Sequence, residues 1–406
     1  MTMNLTDKRL PPTWLLGLTT FCNGSFAGVF LVTIPQLLAA QGVSEPQIAQ
    51  VTSIAMIPGI VAFLVAPILD IRFSRRTYAI GLAVLQAGMI ALSLNVLYNL
   101  PLLTACLLVF NVGYYLFTPA VAGWFGTLVG QSEEPRLGAW LAAGSVAGFG
   151  LMSAVAILLL RGLPFQVGIG VIVLAALGPL LLFPFVPAPP PDRRLAQEGF
   201  GKLARELLKV VRNRHVLRLM ALFALPAATF ALTNTLGGLG EDFQASEGFV
   251  GLIGGLGATI GGMFGALVAP SLARRFPPLA LYIAIGVAGG LFTLCLLAPA
   301  RTPALFAAAM VGENVFQSAA FAVVNALALL SIGRNNPFAA TQFAFINATV
   351  VVPITYMQFI DGKAYGWGGL TGSFIADAGV SITACLAMAL LFPTRWRDSI
   401  TPQPAS

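Results

Sequence analysis

Long apolar stretches, separated by short polar or Pro/Gly turns, run along almost the whole of this chain of 406 residues. A helix that crosses a bilayer needs about 20 consecutive apolar residues. The pattern predicts twelve such helices, at about 14–40, 47–69, 77–97, 101–128, 137–160, 165–187, 216–238, 248–273, 278–299, 303–332, 338–360 and 370–392. Between them stand turns such as "QGVSEP", "DIRFSRR", "GQSEEPR" and "GRNNP". The first stretch is too long for the ~7–15-residue apolar region of a cleaved signal, so it reads as a retained span.

One separator is longer than the rest. Residues 188–215 begin with three prolines within four residues, which stop the sixth helix because proline lacks the N–H and clashes with the preceding turn. Phe200, Leu203, Leu207 and Val211 then recur at helical spacing, with Lys202, Arg205, Lys209 and Arg212 between them. That pattern predicts a basic amphipathic helix lying on an anionic membrane surface.

The chain repeats itself at half its length. Leu64–Pro67 reads LVAP and so does Leu267–Pro270, 203 positions later. At the same offset Asn111 matches Asn314 and Gly130 matches Gly333. The expected organisation is a six-helix half at 1–187, a linker at 188–215 and a second six-helix half at 216–406. Six crossings is an even number, so the two halves run in the same direction, related by an axis along the membrane normal.

Composition sharpens the class. Hydrophobic residues make up 57% of the chain and charged residues only 9%, against roughly 25% charged in a soluble domain. Most of the surface must therefore face lipid. The four cysteines are isolated in apolar runs and His215 is the lone histidine, so a metal site, a redox pair and a disulfide framework are all unsupported. No stretch matches the phosphate-cradling GxxxxGK[ST], which excludes ATP as the energy source. No cofactor is called for.

The net charge of +7 would suggest nucleic acid in a soluble chain, but here the positions matter more than the sum. Lys and Arg collect in cytoplasmic loops. With the N-terminus inside, 19 of the basic residues fall in inside segments and only Arg161, Arg301 and Lys363 fall outside. The expectation is an all-α membrane protein with both termini cytoplasmic, acting as a monomer in the lipid bilayer and binding no nucleic acid.

Several stretches carry a family resemblance. They are "IPQLLAAQGVSEPQIA" (Ile34–Ala49), "APILD" followed by "RR" (Ala66–Asp70, Arg75–Arg76) and "NNPFAATQFAF" (Asn335–Phe345). With the two parallel halves they resemble the major facilitator superfamily. Within it they resemble the branch of AmpG-type muropeptide permeases, acetyl-CoA transporters and pyochelin- and rhizobactin-type siderophore permeases. "CNGSFAG" stands where that family has Gly-Leu-Pro in helix 1, and Ala273 stands at the offset of Asp70 in the second half. The resemblance implies that Asp70, Arg72, Arg75 and Arg76 form a latch that closes the cytoplasmic side. It also implies that helices 1, 4, 7 and 10 line a central cavity.

Two acids fall well inside the expected spans, Glu313 and Asp377. An ionised acid costs on the order of 2.5–3.5 kcal/mol at a helix centre on insertion scales, so such groups face the interior and carry a function or a specific bond. Glu313 lies about ten residues into its helix, near the midplane at ~1.5 Å per residue. On the helices that the resemblance puts around the cavity, Asn23, Asn111, Tyr114, Asn234, Glu313, Asn314 and Gln317 make up the candidate solute and proton-coupling site. An interhelical hydrogen-bond cluster is the structural alternative. Asp377 reads as structural, because helix 12 is peripheral in the resembling fold. Glycines four apart, at Gly24/Gly28, Gly144/Gly148 and Gly257/Gly261/Gly265, predict close helix contacts.

The function expected is secondary active transport of a polar or amphipathic solute, siderophore- or muropeptide-like, across a bacterial inner membrane by alternating access, with protons as the coupling ion. A passive facilitator or an exporter of another small molecule is the alternative. A membrane-embedded transferase would need a catalytic histidine, paired acids or a metal site, none of which is visible. A non-transporting receptor would need a sizeable soluble domain.

Overall fold

A computed structural model describes residues 11–43, 45–70, 73–130, 132–187, 214–236, 239–332 and 339–391. Helices dominate these residues, and no strand occurs among them. The expected surface helix around 200–212 and both chain termini lie outside the described residues.

The helical segments are labelled in chain order. α1 is Thr13–Leu38, α3 Arg75–Asn95, α4 Leu100–Gly126, α5 Glu134–Gly162 and α6 Phe165–Phe185. α8 is Gly248–Ala273, α9 Pro278–Cys295 and α10 Pro303–Ile332. α2 is made of Glu45–Ala55 and Pro58–Val65, and tightens into a 3-10 turn at Ala66–Asp70. α7 is made of Arg214–Phe223 and Ala231–Leu236. One helical run, Ala339–Leu391, is divided at Gly368 and Gly369 into α11 (339–367) and α12 (370–391). Gly369 turns the chain there at φ +58°, a conformation that glycine reaches without a Cβ clash. Nine helices among the described residues, with Ala339–Leu390 counted as one, are long and apolar enough to cross a membrane.

The boundaries differ from the sequence expectation in three places. α2 breaks at Met56–Ile57, just before Pro58, whose ring cannot sit in a continuing helix. α11 runs to residue 367 rather than about 360, so Asp361 becomes part of a helix. α7 unwinds over 224–230, around Pro226 and with Ala228 at φ +50°. Irregular backbone at membrane depth survives only where protein satisfies it. Here Tyr356 Oη donates to Ala224 O at 2.9 Å and Ala231 N donates to Thr229 Oγ1 at 3.4 Å. A cavity of ≈ 20 Å³ lies beside this break, lined by Ala228, Phe230, Tyr282, Gln317 and Phe321 among others. That is room for about one water.

Glycine stripes set the helix contacts. α1 packs on α5, where a Cβ at Gly24 would strike Ser145 O and one at Gly148 would strike Phe21 O. α8 packs on α10 in the same way, with Gly261 against Val311 O and Gly265 against Val315 O. Without apolar surface to hide from water, helices in lipid associate through van der Waals contact and hydrogen bonds, and small residues maximise the contact. α5 then meets α8 and α10, while α2 and α4 meet α11, so the two halves of the chain are joined along two seams.

Gly148→Val should lower the thermal unfolding midpoint of the detergent-purified protein, because overpacking costs about 1–3 kcal/mol. Gly88→Ala should leave it unchanged or raise it. A Cβ at residue 88 meets nothing within 4 Å, and alanine is favoured over glycine inside a helix by up to about 1 kcal/mol. Equal midpoints for Gly148→Val and the parent would show that the α1–α5 contact is not tight.

Candidate functional site

Asp70 ends the 3-10 turn of α2, with its side chain fully enclosed. Its Oδ1 accepts from Arg75 Nε at 2.8 Å and from Ala340 N at 3.2 Å. Its Oδ2 accepts from Thr341 N at 2.7 Å and from Thr341 Oγ1 at 2.6 Å. The two backbone donors belong to the first turn of α11, where N–H groups have no partner within the helix and the helix dipole is positive. Arg75 also reaches across to Gly123 O, Nη1 to oxygen 3.3 Å. The contact depends on Gly123, since a Cβ there would lie 2.7 Å from Ala340 N. Asp70 of the expected latch is thus joined to the other half of the chain, with Arg75 paired to it. Arg76 is half-buried at the start of α3, and Arg72 lies outside the described residues.

The partner of Asp70 was present in the sequence without being read as one. Thr341 belongs to the "AATQ" stretch that carried part of the resemblance, and "APILD" carried another part. The fold brings these two motifs, 271 residues apart, into hydrogen-bond contact.

Glu313 lies inside α10 with 3% of its surface exposed. Thr293 of α9 donates to its Oε1 at 2.5 Å, and Gln317, one turn on, is a second hydrogen-bonding neighbour. Gln317 Oε1 in turn accepts from Thr233 Oγ1 of α7 at 2.8 Å. A chain of neutral hydroxyl and amide groups therefore links the acid to α7 beside its unwound segment. Such a carboxyl can take up or release a proton without a fixed countercharge.

The other candidates are placed differently. Asn23 is buried and donates to Thr118 Oγ1 of α4 at 3.3 Å. Asn111 is buried and donates to Leu107 O of its own helix at 3.0 Å. Its repeat partner Asn314 does the same to Met310 O at 2.8 Å. Tyr114 is half-buried beside Phe110 and Tyr115, with ring centroids 6.0 and 5.0 Å away. Asn234 is exposed. Among the described residues, no hydrogen bond joins the first-half candidates to Glu313. Glu313 and Gln317 are brought together, and Asn23 is brought to α4.

Two further acids stand near Glu313. Asp377 of α12 is 7% exposed and Asp361 of α11 is fully buried. The three carboxyls are close enough to feel one another's charge. The sequence reading counted two acids inside spans; the structure adds Asp361, because α11 continues past residue 360, where the expected span ended. Asp377, read as structural on a peripheral helix, faces this same acidic group.

The sequence matches the family model described as the Major Facilitator Superfamily over residues 16–354. No curated relative matches it. Among solved structures it is similar to the human organic anion transporter MFSD10 (TETRAN), with a TM-score of 0.73 at 15% identity, covering 93% of this chain and 99% of that one. It is also similar to the E. coli fucose:proton symporter FucP, with a TM-score of 0.70 at 16% identity and coverage of 97% and 99%. A third is the proton:xylose symporter XylE, with a TM-score of 0.69 at 16% identity and coverage of 96% and 98%. At these identities the likeness concerns the fold.

Asp70→Asn replaces one of the four-donor carboxylate's oxygens with an amide that must face donors. Hydrogen bonds to a charged group contribute about 1.5–3 kcal/mol each, so the seam should loosen while the protein still inserts. The reporter is a cysteine introduced at Ala340, which is buried against Gly123 across this seam, in a Cys295→Ser background. Its thiol labelling should speed up in Asp70→Asn by about tenfold or more, the equivalent of ~1.4 kcal/mol. Unchanged labelling would show that the carboxylate does not hold the seam closed.

Proposed function

The chain belongs to the major facilitator superfamily, and on that premise we propose a secondary active transporter that moves a polar or amphipathic solute by alternating access, driven by protons exchanged at Glu313. That it is a multi-pass membrane transporter and not an enzyme follows from the family. The proton coupling is our reading, and one observation carries it: an acid enclosed in α10 whose hydrogen-bonding neighbours are a threonine hydroxyl and a glutamine amide rather than a cation. Two of the structures it resembles are of proton symporters, which supports the reading.

The proposed topology has twelve crossings, two six-helix halves at 1–187 and 216–406, and both termini with the 188–215 linker in the cytoplasm. A bacterial inner membrane is the setting proposed. The charge asymmetry of the loops supports this orientation. It puts the Asp70 clasp on the cytoplasmic side, so the clasped conformation faces outward. The solute class proposed remains siderophore- or muropeptide-like, on the strength of the "APILD…RR" and "AATQ" motifs. Asn23, Asn111, Tyr114, Asn234, Asn314 and Gln317 are proposed as its polar contacts during the transport cycle. Asp70, Arg72, Arg75 and Arg76 are proposed as the latch that must open for the solute to leave inward.

Reporter fusions within 188–215 and at the C-terminus should both read cytoplasmic, and a fusion near 241–247 should read outside. An outside linker would reverse the orientation and remove the latch assignment.

Glu313→Gln keeps shape and hydrogen bonding but fixes the group neutral. In vesicles, the variant should still exchange a radiolabelled ferric siderophore or muropeptide as the parent does. It should lose accumulation driven by an imposed proton gradient, falling to the level measured without one. Gradient-driven accumulation equal to the parent would exclude Glu313 as the coupling group.

A further inference from the structure

Asp361 is unused by the transport scheme above, and its surroundings are unusual. Its side chain is fully buried in α11, and among the described residues neither of its carboxyl oxygens has a hydrogen-bond partner. Asp377 Oδ1 is in the same position on α12. A buried polar group without a partner is costly, and an unpaired buried charge is costlier still. A helical protein in lipid keeps such groups where they exchange something.

The packing brings the three acids together. Ser373 of α12 donates to Asp361 O at 2.8 Å, pinning the start of α12 to α11 at this residue. On α9, Gly290 lets α12 approach until its Cβ position is 3.3 Å from Ala378 O, next to Asp377. Thr293, one turn along the same helix, bonds Glu313. α9 is therefore the common wall against which Glu313 and Asp377 sit, and Asp361 interacts electrostatically with both.

Among the described residues no cation forms a salt bridge with them. The salt bridges among the described residues are Asp70–Arg75 and Glu133–Arg136. Lys363, two residues from Asp361, is exposed and lies over the Phe359 ring at 5.1 Å. Arg301 bonds Thr371 at the surface. One turn beyond Asp361, Tyr365 Oη donates to Asp242 Oδ2 at 2.8 Å. The neighbours that bond Glu313 are Thr293 of α9 and Gln317 of α10, both neutral, and Gln317 in turn is bonded by Thr233 of α7. Nor do the described residues hold a group of acids, histidines and cysteines arranged to take a metal ion.

We infer that Glu313, Asp361 and Asp377 form a single proton-binding unit, enclosed by α9 to α12 within the second half of the chain, in which protons are shared among three carboxyls. A proton bound at one carboxyl removes a negative charge that the other two would feel, so protonation at one site changes the proton affinity of the others and the protons belong to the group. This deepens the reading of Glu313 as the proton-exchanging group and rests on it only for its role in transport. The sharing itself is a property of the three side chains.

The test uses the full-length protein reconstituted in lipid, with the proton as the probe. Infrared difference spectra recorded across a pH titration follow the C=O stretch of protonated carboxyls. In the parent, bands should be present that Glu313→Gln, Asp361→Asn and Asp377→Asn each alter. Each variant should also move the titration midpoint of the remaining bands by about one pH unit or more, as expected for sites that titrate together. Glu134→Gln, which removes a buried carboxyl at the far end of α5, should move none of them. Midpoints in each variant that match the parent would overturn the unit, since the acids would then titrate independently. If Asp361→Asn fails to insert, the same comparison is made in Asp377→Asn on the remaining pair. A linked titration combined with normal gradient-driven accumulation in Glu313→Gln would keep the unit and remove its role in coupling.

Discussion

One carboxylate ties the two halves of this transporter together. Asp70 gathers two backbone N–H groups, a hydroxyl and a guanidinium around its two oxygens. The donors come from the first residue of α3 and from the first turn of α11, and Arg75 extends the contact to α4. Its strength comes from enclosure: no water competes for the oxygens, and the positive end of the α11 dipole adds to the arginine. The rest of the seam follows from it. Gly123 must be bare for α11 to come close, and α2 must tighten into a 3-10 turn for Asp70 to reach it.

The division between what the sequence could and could not disclose follows physical range. The helical class, the glycine stripes and the buried position of Glu313 all come from local pattern, and local pattern was legible. The contacts of Gly148 and Gly265 with backbone carbonyls agree with the i, i+4 spacing that predicted them. The partner of Asp70 was not legible, because a pairing across 271 residues leaves no local trace. Thr341 was visible only as part of a family motif.

Asp361 shows a second kind of miss. Asp-Gly-Lys looks like the polar end of a span, and sequence pattern favours a turn there. The helix continues because burial and the Ser373 bond to Asp361 O outweigh the weak preference of those residues. Asn111 and Asn314 illustrate the reverse. Their matched places in the repeat suggested a shared cavity, yet both donate to the carbonyl four residues back in their own helices. What the two matched residues share is a local bond. The unwinding of α7 was foreshadowed only by Pro226, a residue that membrane helices often tolerate in place.

The second LVAP copy ends in Ala273 where the first ends in Asp70, so a molecule of two like halves has a fastener on one side only. α8 runs on as regular helix through Ala273, whereas α2 is pinched and anchored at the matching turn. In the proposed alternating-access scheme, two like turns would let two lobes rock with equal ease at both seams. The α2–α11 edge is buttoned by charge, so in the proposed transport cycle it must let go before the lobes can separate there. The α5–α8 edge can act as the fulcrum, and symmetry is broken by a single side chain.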